Sequence, residues 1–216
     1  MTDVYQSLLH QAGFKSLAGA DEAGRGACAG PLVAAAVILG TDIPSGLDDS
    51  KRLSPARRET LFDAILAAAM AVKIVTIEPA DCDRLGVQKA NLEALLRAVN
   101  GLQPAADFAL IDGFAVSGLA CPSLGLWKGD QVVQSISAAS IVAKVHRDRL
   151  MIELAEKYPG YGFETHKGYA TASHQRALER LGPCPQHRLS YANVAAVAAT
   201  SQSSEHPCAS SSKVVG

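Results

Sequence analysis

The sequence predicts one α/β domain on a mixed sheet, continued by a helical region toward the C-terminus. Two short apolar runs, residues 16–21 and 33–39, come early and are joined by a short link, as neighbouring strands are. Beyond them, strand-like runs alternate with segments of helical periodicity, the order that builds a sheet covered by helices. The chain has 216 residues, 48% of them apolar and 19% charged. That is enough for one sizeable core and too apolar for a mostly disordered chain.

Each element has a local reason. Residues 16–21 form a first strand that runs into a glycine-rich stretch, and residues 33–39 a second, continuously apolar as in sheets buried on both faces. Pro44, Gly46 and two aspartates make residues 41–50 a loop. Ser54-Pro55 opens a helix as N-cap and first-turn proline, with Leu61, Ile65 and Leu66 marking its buried face. Residues 72–77 are a strand; residues 79–85 and 88–100 are helices, the second closed by Gly101. Residues 108–112 and 124–127 are strands. Residues 131–158 form the longest helix, with Ile136, Ile141, Leu150, Ile152 and Leu154 available for packing. Helices follow over residues 171–181 and 191–199. From Thr200 the composition turns to Ser, Gln, Gly and Pro. The expected partition is therefore one domain over residues 1–199, with its helical C-terminal region at about 171–199, and a disordered tail over residues 200–216.

No apolar run reaches the ~18 residues of a membrane span. Residues 1–14 lack the basic-then-apolar order of a secretory signal. Five scattered cysteines (Cys28, Cys82, Cys121, Cys184, Cys208) without a Cys-x-x-Cys pair predict reduced thiols in a cytoplasmic protein. The net charge of −1 argues against indiscriminate attraction to nucleic acid or anionic lipid. It is, however, the sum of two unlike regions. Residues 1–127 carry 10 Lys+Arg against 14 Asp+Glu, and residues 128–190 carry 9 against 6.

Apolar strands end in acids. The first runs into Asp21-Glu22 and the fourth into Asp112-Gly113, while Lys128-Gly129-Asp130 stands at the start of the longest helix. A carboxylate at the end of a buried strand costs free energy unless its charge is compensated. A helix cap or salt bridge accounts for one such residue; three, each beside a glycine or small residue, point to a shared site. Oxygen donors without nearby His or Cys suit a hard cation, Mg²⁺ or Mn²⁺, rather than zinc. Such cations leave positions for water and substrate phosphate, as phosphodiester cleavage requires.

Residues 24–30, GRGACAG, satisfy the dinucleotide pattern G-x-G-x-x-A. That pattern should open a helix, yet Pro31 and a strand-like run follow. Asp21 and Glu22 would also repel a pyrophosphate, and Arg25 has no place in a nicotinamide site. A bare turn explains Gly24 and Gly26 but not Arg25. Beyond Trp127, aromatics alternate with bases around Tyr158, Tyr161, Phe163, Lys167 and Tyr169, which suits a nucleic-acid backbone with stacking on a sugar or base. The plainer alternative makes Arg147, Arg149 and Lys157 a solvated helix face, and His146, His166, His174 and His187 ordinary loop residues.

These residues resemble the type 2 ribonuclease H family, ribonuclease HII, from Ala18 to about Val194. The matching blocks are AGADEAGRG (residues 18–26), AGPLVAAAV (29–37), LDDSK (47–51), KGD (128–130), SAASIVAK (137–144), YPGYG (158–162) and HKGY (166–169). The resemblance implies an RNase H-like fold, with a mixed five-stranded sheet flanked by helices and a helical C-terminal extension. It implies a metal-dependent endoribonuclease whose catalytic, metal-binding acids are Asp21, Glu22, Asp112 and Asp130, with Mn²⁺ or Mg²⁺ as cofactor. Gly24, Arg25 and Gly26 carry over as the substrate-reading loop, Ser50 and Lys51 as phosphate contacts, and Tyr169 as the sugar contact. The implied partners are RNA–DNA hybrids and duplex DNA containing ribonucleotides, cut 5′ to the ribonucleotide by two-metal-ion catalysis to leave 3′-hydroxyl and 5′-phosphate ends. The implied roles are removal of ribonucleotides from DNA and of RNA primers, by a cytoplasmic monomer with no membrane partner.

Three features depart from the family pattern. Phe114 stands where asparagine is usual, and the His187-Arg188-Leu189-Ser190 segment is less basic than its usual version, which predicts a weaker backbone contact. The serine-rich tail has no counterpart. Asp21 and Glu22 are adjacent and would face opposite sides of an ideal strand, so both serve one site only if the strand ends or bulges there. Gly24 and Gly26 would let backbone groups approach a ribose 2′-OH, with Tyr169 stacking on the sugar beyond. Two rival classes remain: a binding module without catalysis, which has no use for four acids, and a nicotinamide enzyme, which needs no divalent metal.

Overall fold

In the computed structural model, which describes residues 4–47, 50 and 52–204, the chain opens with helix α1 (Val4–Gln11) and a hairpin of β1 (Leu17–Ala23) and β2 (Leu32–Leu39). Helix α2 (Pro55–Ala68), β3 (Ala69–Ile77), α3 (Pro79–Leu85), α4 (Val87–Asn100), β4 (Phe108–Asp112) and β5 (Ser123–Leu126) follow. A 3₁₀ turn (Gly129–Gln131) leads into the long α5 (Gln134–Lys157), then α6 (Phe163–His166), α7 (Ala172–Leu181) and α8 (Ala192–Ser204).

The five strands form one sheet in the order β3-β2-β1-β4-β5. β1 and β2, and β2 and β3, are antiparallel; β1 and β4, and β4 and β5, are parallel. β2 reads as an unbroken apolar run because both of its faces are covered. Ala34 and Ala36 join Ala18, Ala20 and the α4 residues Ala94, Leu95 and Ala98 in one core. Val33, Ala35 and Val37 join Leu61 and Ile65 of α2 and Ile141 and Val142 of α5 in the other. The small side chains let α5 lie close against β1: a Cβ on Gly19 would stand 2.0 Å from the carbonyl carbon of Ser135.

Ser54 caps α2 by accepting from the Arg57 amide at 3.3 Å, and Thr171 caps α7 by accepting from the His174 amide at 3.2 Å. Several details differ from the sequence expectation. The buried stripe of α2 is Leu61, Phe62 and Ile65, and Leu66 falls past its edge into solvent, as does Ile152 on α5. Lys128 has a left-handed backbone (φ 56°), and the turn it starts delays the long helix to Gln134. α1 was not expected; its neighbour Phe14 packs edge-on against Phe108 (4.9 Å), and Leu9 reaches the Leu110 cluster. Helix α8 continues through residues 200–204, beyond the expected start of the tail, and residues 205–216 lie outside the described part.

Candidate functional site

The strand neither ends nor bulges at Asp21, contrary to the sequence expectation. β1 stays in regular register with β2 through Asp21↔Ala35, Glu22↔Ala34 and Ala23↔Val33. What stops is its other partnership, since the parallel pairing with β4 ends at Ala20↔Ile111. Beyond that point β1 has lost a neighbour, and a pocket opens outside the carboxyl ends of two parallel strands, where α/β sheets commonly bind ligands. Asp21, Glu22 and Asp112 all line this pocket, so adjacent residues on opposite faces of one strand reach the same space.

Asp21 is 4% exposed and accepts the Glu22 amide at 2.7 Å. Burial first, then the charges of Glu22 and Asp112, push its carboxyl well above the usual carboxylate range; a hydrogen bond from Ser140 partly opposes them. Asp112 Oδ1 accepts the Gly129 amide at 2.7 Å, which uses the turn after β5 to aim the carboxylate. Glu22 pairs with Arg25 at 3.3 Å. Among the described residues no three His, Cys, Asp or Glu side chains are grouped closely enough to hold a metal ion by themselves. The donors nevertheless fit a hard divalent cation: all are carboxylate oxygens, they are few, and their mutual repulsion calls for positive charge. A cation of that class fills its remaining positions with water and phosphate oxygens.

The fourth predicted acid stands apart. Asp130 is buried (4% exposed) in the 3₁₀ turn and lines an adjoining hollow with Arg52 and Ser137, not the Asp21 pocket.

The remaining predicted residues divide. Gly24, Arg25, Gly26, Ser50 and Tyr169 all line the Asp21 pocket, while Lys51 lies outside the described residues. The two glycines have different reasons. Gly24 has φ +85°, and a Cβ there would meet Arg147 Nε at 1.9 Å, so the fold itself requires glycine. At Gly26 a Cβ would meet nothing within 4 Å, so space is left open on the exposed side of the loop. Ser50 is buried, and its hydroxyl is 2.9 Å from that of Ser140, which also bonds Asp21.

Sequence reasoning missed several residues here. Ser140 and Lys144, one helical turn apart on α5, both line the pocket. Lys144 Nζ donates to Asp148 at 2.6 Å and lies 5.9 Å from the Tyr169 ring centre; burial lowers its pKa. The unusual Phe114 lines the pocket mouth with Trp127, which is 77% exposed, and the Arg25 guanidinium lies 5.8 Å from the Phe114 ring centre.

Two readings of the basic segment need correction. Arg147 is fully buried, not a solvated helix residue. Its guanidinium donates to the carbonyls of Pro31 (2.8 Å), Lys167 (2.9 Å) and Ala29 (3.1 Å). Arg188 is also fully buried, so it is no nucleic-acid backbone contact. It donates to Gly30 O at 2.9 Å from Nη2 and to Arg25 O at 3.1 Å from Nη1, while the Tyr191 hydroxyl also donates to Arg25 O. The two arginines fasten the glycine loop from behind. His166, His174 and His187 are likewise buried, forming a cluster around Phe163.

No helix among the described residues is long and apolar enough to cross a membrane, and Cys28, Cys82, Cys121 and Cys184 are free thiols. The family model for ribonuclease HII matches residues 18–194. A ribonuclease HII of Cutibacterium acnes is 56% identical over 193 residues, covering 88% of this chain and 95% of that protein. One from Mycobacterium bovis BCG is 53% identical over 203 residues, covering 93% of this chain and 77% of that protein. Among solved structures, the ribonuclease H2 of Pyrococcus horikoshii superposes with a TM-score of 0.78 at 26% identity, covering 87% of this chain and 99% of that one. The RNase HII in a PCNA complex from Archaeoglobus fulgidus superposes with a TM-score of 0.71, also at 26% identity, covering 82% and 95%. The chain belongs to the ribonuclease HII family, the nucleases of the type 2 ribonuclease H class.

Proposed function

We propose that the protein hydrolyses the RNA strand of RNA–DNA hybrids and nicks duplex DNA on the 5′ side of an embedded ribonucleotide, leaving 3′-hydroxyl and 5′-phosphate ends. The observation that carries this reading is the shared pocket of Asp21, Glu22 and Asp112 with the Gly24–Gly26 loop and Tyr169. Three carboxylates beside a backbone with room for a sugar hydroxyl fit a ribonuclease better than a binding module.

Asp21, Glu22 and Asp112 hold Mg²⁺ or Mn²⁺ in this reading, and Asp130 is the fourth acid, from the adjoining hollow. When bound, such cations supply an activated water and charge stabilisation at the leaving 3′ oxygen of an in-line displacement. The residues of the chain do the rest. Gly129 orients Asp112, and Ser140 and the Glu22 amide orient Asp21. Arg25 holds Glu22 and is placed to exchange it for a substrate phosphate. The Gly24–Gly26 backbone takes the ribose 2′-OH, and the Tyr169 ring stacks on the next sugar, favouring a deoxyribose. Ser50 and Lys51 contact phosphate. The setting is ribonucleotide and primer removal by a cytoplasmic monomer.

The test is a duplex with one ribonucleotide, incubated with Mg²⁺, Mn²⁺ or EDTA. Metal-dependent nicking 5′ to the ribonucleotide is expected; binding without nicking in any of the three would replace the enzyme with a binding module.

A further inference from the structure

The buried histidines are joined end to end. His174 Nδ1 lies 2.9 Å from the carbonyl oxygen of Tyr169, and an oxygen of that kind only accepts, so Nδ1 carries the proton. A neutral His174 then has a bare Nε2, which faces His187 Nε2 at 3.1 Å, so His187 donates there. The other nitrogen of His187, Nδ1, lies 3.0 Å from the Cys184 amide, which it accepts, and farther, 3.3 Å, from the Cys184 carbonyl oxygen; the shorter contact is the amide's. The shortest contacts thus select one tautomer for each ring, and the chain of bonds runs one way: Cys184 N–H to His187 to His174 to Tyr169 O. Adding a proton to His174 Nε2 would set two donors face to face across the 3.1 Å contact.

Its surroundings favour the neutral forms. The ring of His166 from α6 stacks on His174 at 4.2 Å, and the rings of Phe163 and Tyr161 lie beside His187. The thiol of Cys28, on the glycine loop, is 3.6 Å from His174 Nδ1, and that of Cys184 is 3.2 Å from His187 Nδ1. Burial first, then the His174 ring, holds the pKa of His187 down to about 4, and burial also lowers that of His174. The end of the relay matters because Tyr169 belongs to the segment that clasps the glycine loop. The amides of Cys28 and Ala29 both donate to Gly168 O, at 3.0 and 3.2 Å, and the guanidinium of Arg147 lies 5.5 Å from the Tyr169 ring centre.

We propose that His174 and His187 are positioning residues for sugar recognition: their single-tautomer relay fixes the Tyr169 backbone, and so sets the Tyr169 ring against the Gly24–Gly26 loop. This rests on the reading of Tyr169 as the sugar contact. It assigns to the 184–188 segment a part in choosing the junction, although none of its side chains reaches the pocket.

Two measurements test it. The first needs no variant: ¹⁵N-histidine NMR of the full chain at about pH 6, where a free histidine is largely protonated. The expected signature is a neutral Nδ1–H tautomer for His174 and a neutral Nε2–H tautomer for His187; the opposite tautomers, or protonated rings, would overturn the relay. The second compares kcat/KM on a single-ribonucleotide duplex with kcat/KM on a long hybrid for His174→Ala, His174→Asn and Tyr169→Ala. His174→Ala is expected to lower that ratio about tenfold, roughly the effect of one buried hydrogen bond, and His174→Asn, whose amide can still donate to Tyr169 O, to keep it within about threefold. An equal loss on both substrates, or no rescue by asparagine, would reduce the histidines to core packing. If Tyr169→Ala lowers the ratio and His174→Ala does not, the relay fails while the sugar reading stands. If Tyr169→Ala leaves the ratio unchanged, the sugar reading itself fails, and the proposal with it.

Discussion

The Arg188 guanidinium donates to the main-chain oxygen of Arg25 at 3.1 Å, a bond that spans 163 residues of sequence and ties the C-terminal region to the glycine loop. Its Nη2 and Nε also reach Gly30 O, at 2.9 and 3.2 Å. Replacing Arg188 with methionine leaves Arg25 O with the Tyr191 hydroxyl but leaves Gly30 O without either of those donors. The expected cost is about 1–3 kcal/mol, seen as a fall of several degrees in Tm, with a larger loss of cleavage at a single ribonucleotide. Arg188→Lys should not rescue it, because an ammonium cannot reproduce the forked contact. Calorimetry together with cleavage assays checks both parts.

Alanine at the two loop glycines should separate fold from function. Gly24→Ala forces a side chain onto Arg147 at a left-handed φ and is expected to destabilise the protein by about 2 kcal/mol or more. Gly26→Ala meets nothing in the protein, so its Tm should stay within about 1 °C of wild type while cleavage falls at least tenfold. A large drop in Tm for Gly26→Ala would show that the loop needs this glycine for folding.

Asp21 gives a pH prediction. Its carboxyl binds a proton more tightly in the folded protein than in the unfolded chain, so without metal the native state loses stability as pH rises from the ordinary carboxylate range through the raised one. In EDTA, Tm at neutral pH should therefore be raised by Asp21→Asn relative to wild type, while cleavage with Mg²⁺ or Mn²⁺ is abolished. Differential scanning fluorimetry across pH, with and without metal, reads the first; a variant that cuts at the normal rate would remove Asp21 from the site.

Gly19 tests the packing beneath the site. With a Cβ only 2.0 Å from the Ser135 backbone, Gly19→Ala must push α5 away from β1 and should cost about 3 kcal/mol or more. Because α5 also carries Ser140, the same change should weaken Asp21 alignment; chemical denaturation and cleavage measured together would show both losses.

Much of this was legible in the sequence, for identifiable reasons. All five strands announced themselves as apolar runs, and Ser54 marked a helix start because a hydroxyl cap acts locally. Asp21, Glu22 and Asp112 stood out because acids rarely end buried strands. What stayed hidden depends on contacts between distant segments. Ser140 and Lys144 sit in an otherwise apolar helix stretch, and only the approach of α5 to β1 gives them a role. Asp130 sits in a 3₁₀ turn that starts from a left-handed Lys128, which no pattern announces. Arg147 read as part of a solvated helix face, and Arg188 as part of a segment making a weaker backbone contact, because arginine usually is exposed; both are consumed by backbone carbonyls.

The arginine fastening also orders events during synthesis. The sheet and its covering helices are encoded by residues 17–157, and the three clustered acids lie within them. The loop that would read the sugar is held by Gly168, Arg188 and Tyr191, all of which leave the ribosome later. On the proposed function, the acidic centre is therefore encoded ahead of several of the contacts that would let the protein discriminate ribose from deoxyribose.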